Sequence, residues 1–191
     1  MARSQDELSL CHPISNVNPL NLRTVITVMS TSELMFFEFE ADFVESLRCI
    51  PMQVRYKLDT CGVKLKLEHW HKFSQSDRAR LVTQPCETST EIANYRDIVQ
   101  ATVLQYTETP AKDLPIDPQP PWLQADQVPT DVQAQAAHFD CEITPQQWAA
   151  LPPLARFALC KLSRPGHENR NFLSALYEFQ LKSPTHTKNE S

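Results

Sequence analysis

Cysteine and histidine supply most of the chain's candidates for chemistry. Six cysteines lie at positions 11, 49, 61, 86, 141 and 160, and no two of them form a CxxC pair. Cys61 and Cys86 lie beside turn residues, where a partner could reach a thiol, although a free cysteine is more often a small buried apolar residue. His69 and His71 are two residues apart, which on a helix points them to different sides. We therefore predict no metal site and no resident cofactor.

A second group of polar residues lies between positions 161 and 172. Pro165 and Gly166 should end one helix just before another begins. Four side chains should then cluster at the helix junction: Ser163, Arg164, His167 and Asn169. The exposed amides of such a junction suit an anion or a partner's carboxylate, and mutual capping of the two helices explains the same residues equally well. His167 could serve as an acid or base, but no nucleophile of known geometry accompanies it.

The composition excludes several classes of function. The chain has 191 residues, of which 41% are hydrophobic, as expected of a globular protein. Only two glycines are present, so loops that bind phosphate through several glycines are excluded. No signal-type segment and no apolar run of membrane-spanning length is visible, and we expect a soluble, cytoplasmic protein without a membrane partner. No catalytic constellation is recognisable, and we expect a protein that is not an enzyme.

Charge is unevenly distributed along the chain. The formal net charge of −5 argues against nucleic acid as a partner. Residues 48–80 nevertheless carry eight basic and three acidic side chains between two acidic flanks. This basic region predicts a surface that meets an anion or an acidic protein face, and a solvated helix face explains it equally well. The basic side chains that we assign to partner binding are Arg55, Lys57, Lys64 and Lys66.

The elements that must position these residues show an internal repeat. The pattern from Ile50 to Leu81 recurs without a gap 78 residues downstream, so that Trp70 matches Trp148 and Arg78 matches Arg156. Packing residues should persist in both copies, and we predict structural roles for the two tryptophans and the two arginines. The fold expected is all-α, with two related helical halves packed as one domain.

The predicted organisation follows from caps, breakers and apolar spacing. An amphipathic helix is expected over 36–47, and capping patterns start helices at Ser74 and Thr88. The predicted segments are a flexible N-terminal extension over 1–34, a helical domain over 35–181 and a disordered tail over 182–191. Within the domain we expect a first repeat at about 50–82, a long helix over 89–106, a proline-rich linker over 110–121, a second repeat at about 128–160 and a final helix over 168–181.

Several strings of residues resemble a known family. They are FEFEADF at 37–43, LRCIPM at 47–52, VRYKLDTCG at 54–62, PPW at 120–122, QW at 147–148 and the stretch 157–172. Through these strings, which span about three quarters of the chain, the sequence resembles the nitrate reductase associated proteins of cyanobacteria. The first 34 and last ten residues lie outside the resemblance.

The resemblance implies a role in nitrate assimilation. Its members are expected to be small cytoplasmic proteins associated with assimilatory nitrate reductase, a molybdenum enzyme. It implies a non-catalytic accessory or maturation factor that acts by binding that enzyme. The alternatives are a carrier of molybdenum cofactor, heme or an iron-sulfur cluster, and a small enzyme that uses His167 with Cys61 or Cys86.

Overall fold

The computed structural model describes residues 36–164 and 170–183, and these residues are mostly helical, as predicted. The predicted extension over 1–34, His167, Asn169 and the end of the tail lie outside the described residues. Nine α-helices occur within them: α1 (Ala41–Val44), α2 (Met52–Cys61), α3 (Leu67–Lys72), α4 (Gln75–Thr83), α5 (Ser89–Thr107), α6 (Thr130–Ala137), α7 (Pro145–Ala150), α8 (Pro153–Leu162) and α9 (Phe172–Glu178). Two short strands, β1 (Val63–Lys64) and β2 (Lys112–Asp113), pair antiparallel. Short 3-10 helices occur at Glu38–Glu40 and Pro121–Leu123.

The helix starts follow from local capping chemistry. The Ser74 hydroxyl accepts a hydrogen bond from the Asp77 amide at the start of α4. Thr88 and Glu91 form a capping box at the start of α5, in which each side chain accepts from the other residue's amide. These contacts satisfy amides that have no partner within the helix, and they confirm both predicted starts.

The first residues of the predicted helix over 36–47 form a different structure. A 3-10 turn leads into α1, which ends at Val44, so the prediction of one long amphipathic helix was wrong. Leu47 takes a left-handed conformation, with φ of 47°, and its carbonyl accepts a hydrogen bond from Trp70 Nε1 at 2.6 Å. A helix cannot continue through that backbone conformation, so the helical path cannot extend past Leu47.

Two hydrophobic clusters form the core of the described residues. One surrounds Trp70 and includes α5 side chains, and the other surrounds Trp148 and includes most of α8. Both indole rings are fully buried, and each ring N–H donates to a carbonyl: Trp70 to Leu47 and Trp148 to Gln124. A buried indole removes about 150–250 Å² of surface from water. Burial of that area, with the ring N–H satisfied, can stabilise a core by several kcal/mol.

The two matched arginines have different surroundings. Arg78 donates to three carbonyls, those of Trp70, His71 and Leu47, at 3.0, 3.0 and 3.4 Å. Arg156 is 6% exposed, and its Nε and Nη1 atoms have no hydrogen-bond acceptor. Arg78 therefore ties α4 to α3 through hydrogen bonds, whereas two of the three guanidinium nitrogens of Arg156 make none.

The predicted internal duplication stays a prediction. Helices α2, α3 and α4 begin at residues 52, 67 and 75, and α6, α7 and α8 begin 78 positions later, at 130, 145 and 153. Only the first pair of starts has the same N-cap residue, Pro51 and Pro129, because Lys66 and Ser74 correspond to Thr144 and Pro152. The coincident starts describe local structure, and do not establish that the two segments superpose.

The proline-rich linker crosses the end of α2. Gly62 caps α2 with φ of +69°, and its carbonyl accepts a hydrogen bond from the Leu114 amide at 2.9 Å. A Cβ at position 62 would lie 2.7 Å from Ile116 Cγ1, so glycine is required for this close approach. At the far end of the linker, Trp122 packs edge-on against Phe157, with ring centroids 5.0 Å apart. These two contacts hold the linker over the site described next.

Candidate protein-binding groove

Helices α2 and α8 are joined by an ion pair at the centre of the site. The Lys161 ammonium lies 2.6 Å from a carboxylate oxygen of Asp59, and the two side chains are 15% and 22% exposed. Lys161 Nζ also lies 5.1 Å from the centre of the Phe157 ring. The pair is partly shielded from solvent and hence fixes the relative position of the two helices better than an exposed pair would.

Two cavities adjoin this ion pair. The larger, of about 880 Å³, lies between the proline-rich linker and helices α2 and α8. The smaller, of about 170 Å³, lies beside β1. Both are lined by Asp59, Leu114 and Lys161, so they are neighbours on one surface. We call the larger the linker cavity, the smaller the basic cavity, and the two together the groove.

The groove brings together parts of the two segments in which the sequence predicts partner-binding residues. Arg55 and Lys64, from the first basic region, line the basic cavity together with Lys161. Arg164, from the predicted helix junction, lines the linker cavity. Residues about 100 positions apart in the sequence therefore contribute to adjacent walls. The cationic excess is confined to the basic cavity, since Asp59, Glu87 and Asp117 also line the linker cavity. An anionic group of a partner is therefore favoured at the basic cavity.

Sequence reasoning missed Lys112, which adds to the positive charge near the basic cavity. The strand register places Lys64 directly opposite Lys112, and both residues are exposed. Like charges opposite each other across a strand pair are destabilising, and a bound anion would relieve that repulsion. The neighbouring Asp113 does not neutralise this pair, because it lies 2.5 Å from Arg96 in an ion pair of its own. Short-range sequence patterns give no signal for this register, since the strands are two residues long and far apart in the chain.

Two of the predicted contact lysines have other surroundings. Lys57 is half-buried, and its ammonium donates to the carbonyls of Val82 and Gln84, each at 2.7 Å. Burial lowers the pKa of Lys57, and the side chain satisfies carbonyls at the end of α4. Lys66 is exposed and lies 2.9 Å from Glu68. Neither residue lines either cavity of the groove, and we do not include them in the groove.

The predicted junction is described only in part. Ser163 is buried, and its hydroxyl donates to the Cys160 carbonyl at 3.1 Å, which is a local helix-end contact. Arg164 is exposed. His167 and Asn169 lie outside the described residues, and their predicted roles stay predictions.

The thiols near the groove are poorly suited to nucleophilic chemistry. Cys61 is 1% and Cys86 is 5% exposed, although Cys86 lines the linker cavity. Burial raises the pKa of the Cys61 thiol to about 11 and that of Cys86 to about 12. A thiol attacks as the thiolate, and at neutral pH almost none is present at these values. The interpretation of both residues as small apolar side chains is the one their burial supports.

The described residues contain no group of three or more His, Cys, Asp or Glu side chains placed to hold a metal ion. His69 Nε2 lies 3.7 Å from Glu68, whereas His71 Nε2 lies 2.9 Å from the Arg48 carbonyl. Within the part of the chain that the structure describes, no helix is both long and apolar enough to span a membrane.

The fold and the groove define a mostly helical protein with a partly basic surface groove. Comparison with known proteins identifies the family within this class. Residues 36–179 match the family model described as conserved nitrate reductase-associated protein, which covers most of the chain. The chain belongs to this family, whose name indicates an association with nitrate reductase. No curated protein and no solved structure matches the chain.

Proposed function

We propose that this protein is a non-catalytic accessory factor that binds nitrate reductase through the groove and supports its maturation or activity. The observation that carries the proposal is the meeting of Arg55 and Lys64 with Lys161 and Arg164 on adjacent cavity walls. The family description supplies the partner. The enzyme is expected in the cytoplasm, and so is this protein.

Several features support binding rather than catalysis. The basic cavity has more cationic than acidic lining side chains, whereas the linker cavity combines apolar residues with charges of both signs, among them Glu87 and Asp117. The basic end of the groove suits an acidic patch on a protein partner. The thiols closest to it are held in their protonated form by burial. Ile116 and Leu123, both more than half exposed, place aliphatic surface on the linker. Exposed aliphatic side chains beside charged ones are typical of an interface in which apolar contacts bind and charges orient.

The proposal is tested with purified nitrate reductase from the same source and a pair of charge-matched double variants. Lys64→Glu with Arg164→Glu reverses two charges at the groove, whereas Lys72→Glu with Arg80→Glu reverses two exposed charges elsewhere. Binding is measured by biolayer interferometry at 50 and 200 mM salt. We expect the groove variant to bind at least tenfold more weakly, because two lost charge contacts of about 1 kcal/mol each correspond to that factor or more.

The control variant should bind within about twofold of the unmodified protein. Equal weakening by both variants would contradict the groove as the binding surface, because general charge would then explain the effect. Absence of binding by the unmodified protein, to both the apoenzyme and the loaded enzyme, would contradict the proposed function itself. Nitrate reductase activity with each variant shows whether binding matters for the enzyme's function.

A further inference from the structure

The basic cavity has the charge and size for a single carboxylate. Among the described residues that line it, three are cationic, Arg55, Lys64 and Lys161, and one, Asp59, is acidic. Lys161 and Asp59 pair at 2.6 Å and offset each other's charge, so the excess positive charge comes from Arg55 and Lys64. Lys64 faces Lys112 across the strand pair, so the lip of the cavity carries further positive charge. Arg55 Nε donates to the Ile50 carbonyl at 3.0 Å, so Arg55 is held in place beside the cavity. An acidic side chain entering here would lie beside positive charge from α2 and β1.

The linker cavity has a different chemistry. Its outer wall is the segment from Leu114 to Leu123, which includes four prolines, and Ile116 and Leu123 are 57% and 52% exposed. Proline has no N–H, so this wall cannot pair with a bound chain as a regular strand would. A bound chain is therefore held mainly by its side chains, and aliphatic groups fit the exposed part of the wall.

Because the two cavities share lining residues, one short chain segment can occupy both. We propose that the groove binds an extended segment of its partner, with one Asp or Glu carboxylate in the basic cavity and a nearby aliphatic side chain against Ile116 and Leu123. This inference rests on the proposed function, since it takes nitrate reductase as the source of the segment. Positive charge on the lip and an exposed aliphatic wall are together complementary to such a segment.

The probe is an array of overlapping 15-residue peptides that cover the nitrate reductase sequence, incubated with the full-length protein. Peptides that bind are remade with a fluorophore and measured by fluorescence polarisation. We expect the binding peptides to carry Asp or Glu within a few residues of Leu, Ile or Val. Replacing that acid with its amide should weaken binding about tenfold or more, as expected for hydrogen bonds to a charged group.

Variants of the protein separate the two cavities. Lys64→Glu should weaken peptide binding at least tenfold through the basic cavity. Ile116→Asp should weaken it to a similar extent through the linker cavity. Lys72→Glu, the same charge change on an exposed residue outside both cavities, should leave binding within about twofold. Circular dichroism confirms that each variant is folded. A peptide weakened equally by Lys64→Glu and Lys72→Glu would overturn the assignment.

Failure of this inference differs from failure of the proposed function. If the whole reductase binds at the groove but no peptide does, the partner presents a folded surface and the inference is overturned while the proposed function stands. If inorganic phosphate at 1 mM displaces every peptide, the basic cavity is a phosphate site and the inference is again overturned. If neither the reductase nor any peptide binds, the proposed function and this inference are both overturned.

Discussion

Substituting the two matched arginines with methionine should give opposite results. Arg78 and Arg156 lie 78 positions apart in similar helices, and methionine retains part of the volume and all of the apolar character of the side-chain stem. Arg78 donates to three carbonyls and lies 6.0 Å from the Trp70 ring centre. Arg156 is buried with two nitrogens that lack acceptors.

The magnitude follows from these contacts. Each hydrogen bond of Arg78 contributes about 1 kcal/mol net, the 3.4 Å contact less, and its interaction with the indole adds about 0.5 kcal/mol. Arg78→Met should therefore lower the free energy of unfolding by about 2–4 kcal/mol. Replacing a buried, unsatisfied charge with an apolar side chain is often neutral or stabilising. Arg156→Met should therefore stay within about 1 kcal/mol of the unmodified protein or exceed it in stability.

Urea denaturation at 25 °C, followed by circular dichroism at 222 nm and by tryptophan fluorescence, measures both variants. The midpoint should fall clearly for Arg78→Met, with an unchanged slope, and should hold or rise for Arg156→Met. A loss of more than about 2 kcal/mol in both variants would refute the reasoning, because Arg156 would then contribute as much as its hydrogen-bonded counterpart.

Three further predictions concern stability, pH and thiol reactivity. Gly62→Ala should lower the free energy of unfolding by about 1–2 kcal/mol because of the left-handed backbone, and further because the added Cβ meets the linker. A urea midpoint equal to that of the unmodified protein would contradict this. Burial raises the pKa of Glu40 above its ordinary value near 4.5, so folding retains a proton that the unfolded chain releases. The stability of the unmodified protein relative to Glu40→Gln should therefore fall as pH rises from 4.5 to 7.5, and a rising difference in urea titrations would exclude this sign. Burial raises the pKa of Cys86 to about 12, so at pH 8 its thiol should react with iodoacetamide at least a hundredfold more slowly in the native protein than in 8 M urea. Mass spectrometry of the peptide that contains Cys86 measures both rates. Comparable rates would show that the thiol is accessible and ionised.

Short-range chemistry made much of the fold predictable. Ser74 and Thr88 are caps that act over three residues, so their sequence pattern carries all the required information. Gly62 likewise marks the end of α2. The helix predicted over 36–47 was wrong at both ends, and the Leu47 carbonyl has a long-range partner, the buried Trp70. Apolar spacing alone cannot anticipate an acceptor that lies 23 residues from its donor.

The sequence predicted that basic residues form the binding surface, but it did not predict which of them line the groove. Arg55 and Lys64 were identified because basic residues are dense in their segment, and Arg164 because Pro165 and Gly166 predict a helix junction beside it. The burial of Lys57 against the end of α4 could not be read from charge counts, which do not fix the side of a helix that a residue occupies. Lys112 was missed because its position depends on a strand register.

Hydrogen–deuterium exchange of this protein with and without nitrate reductase tests the central claim most directly, since it reports where the partner covers the chain. We predict slower exchange on binding at the backbone amides of 58–66, 112–117 and 161–164, which surround the groove, and unchanged exchange in α4. Protection confined to α4, or no protection around the groove while the reductase is bound, would contradict the assignment of this surface to partner binding.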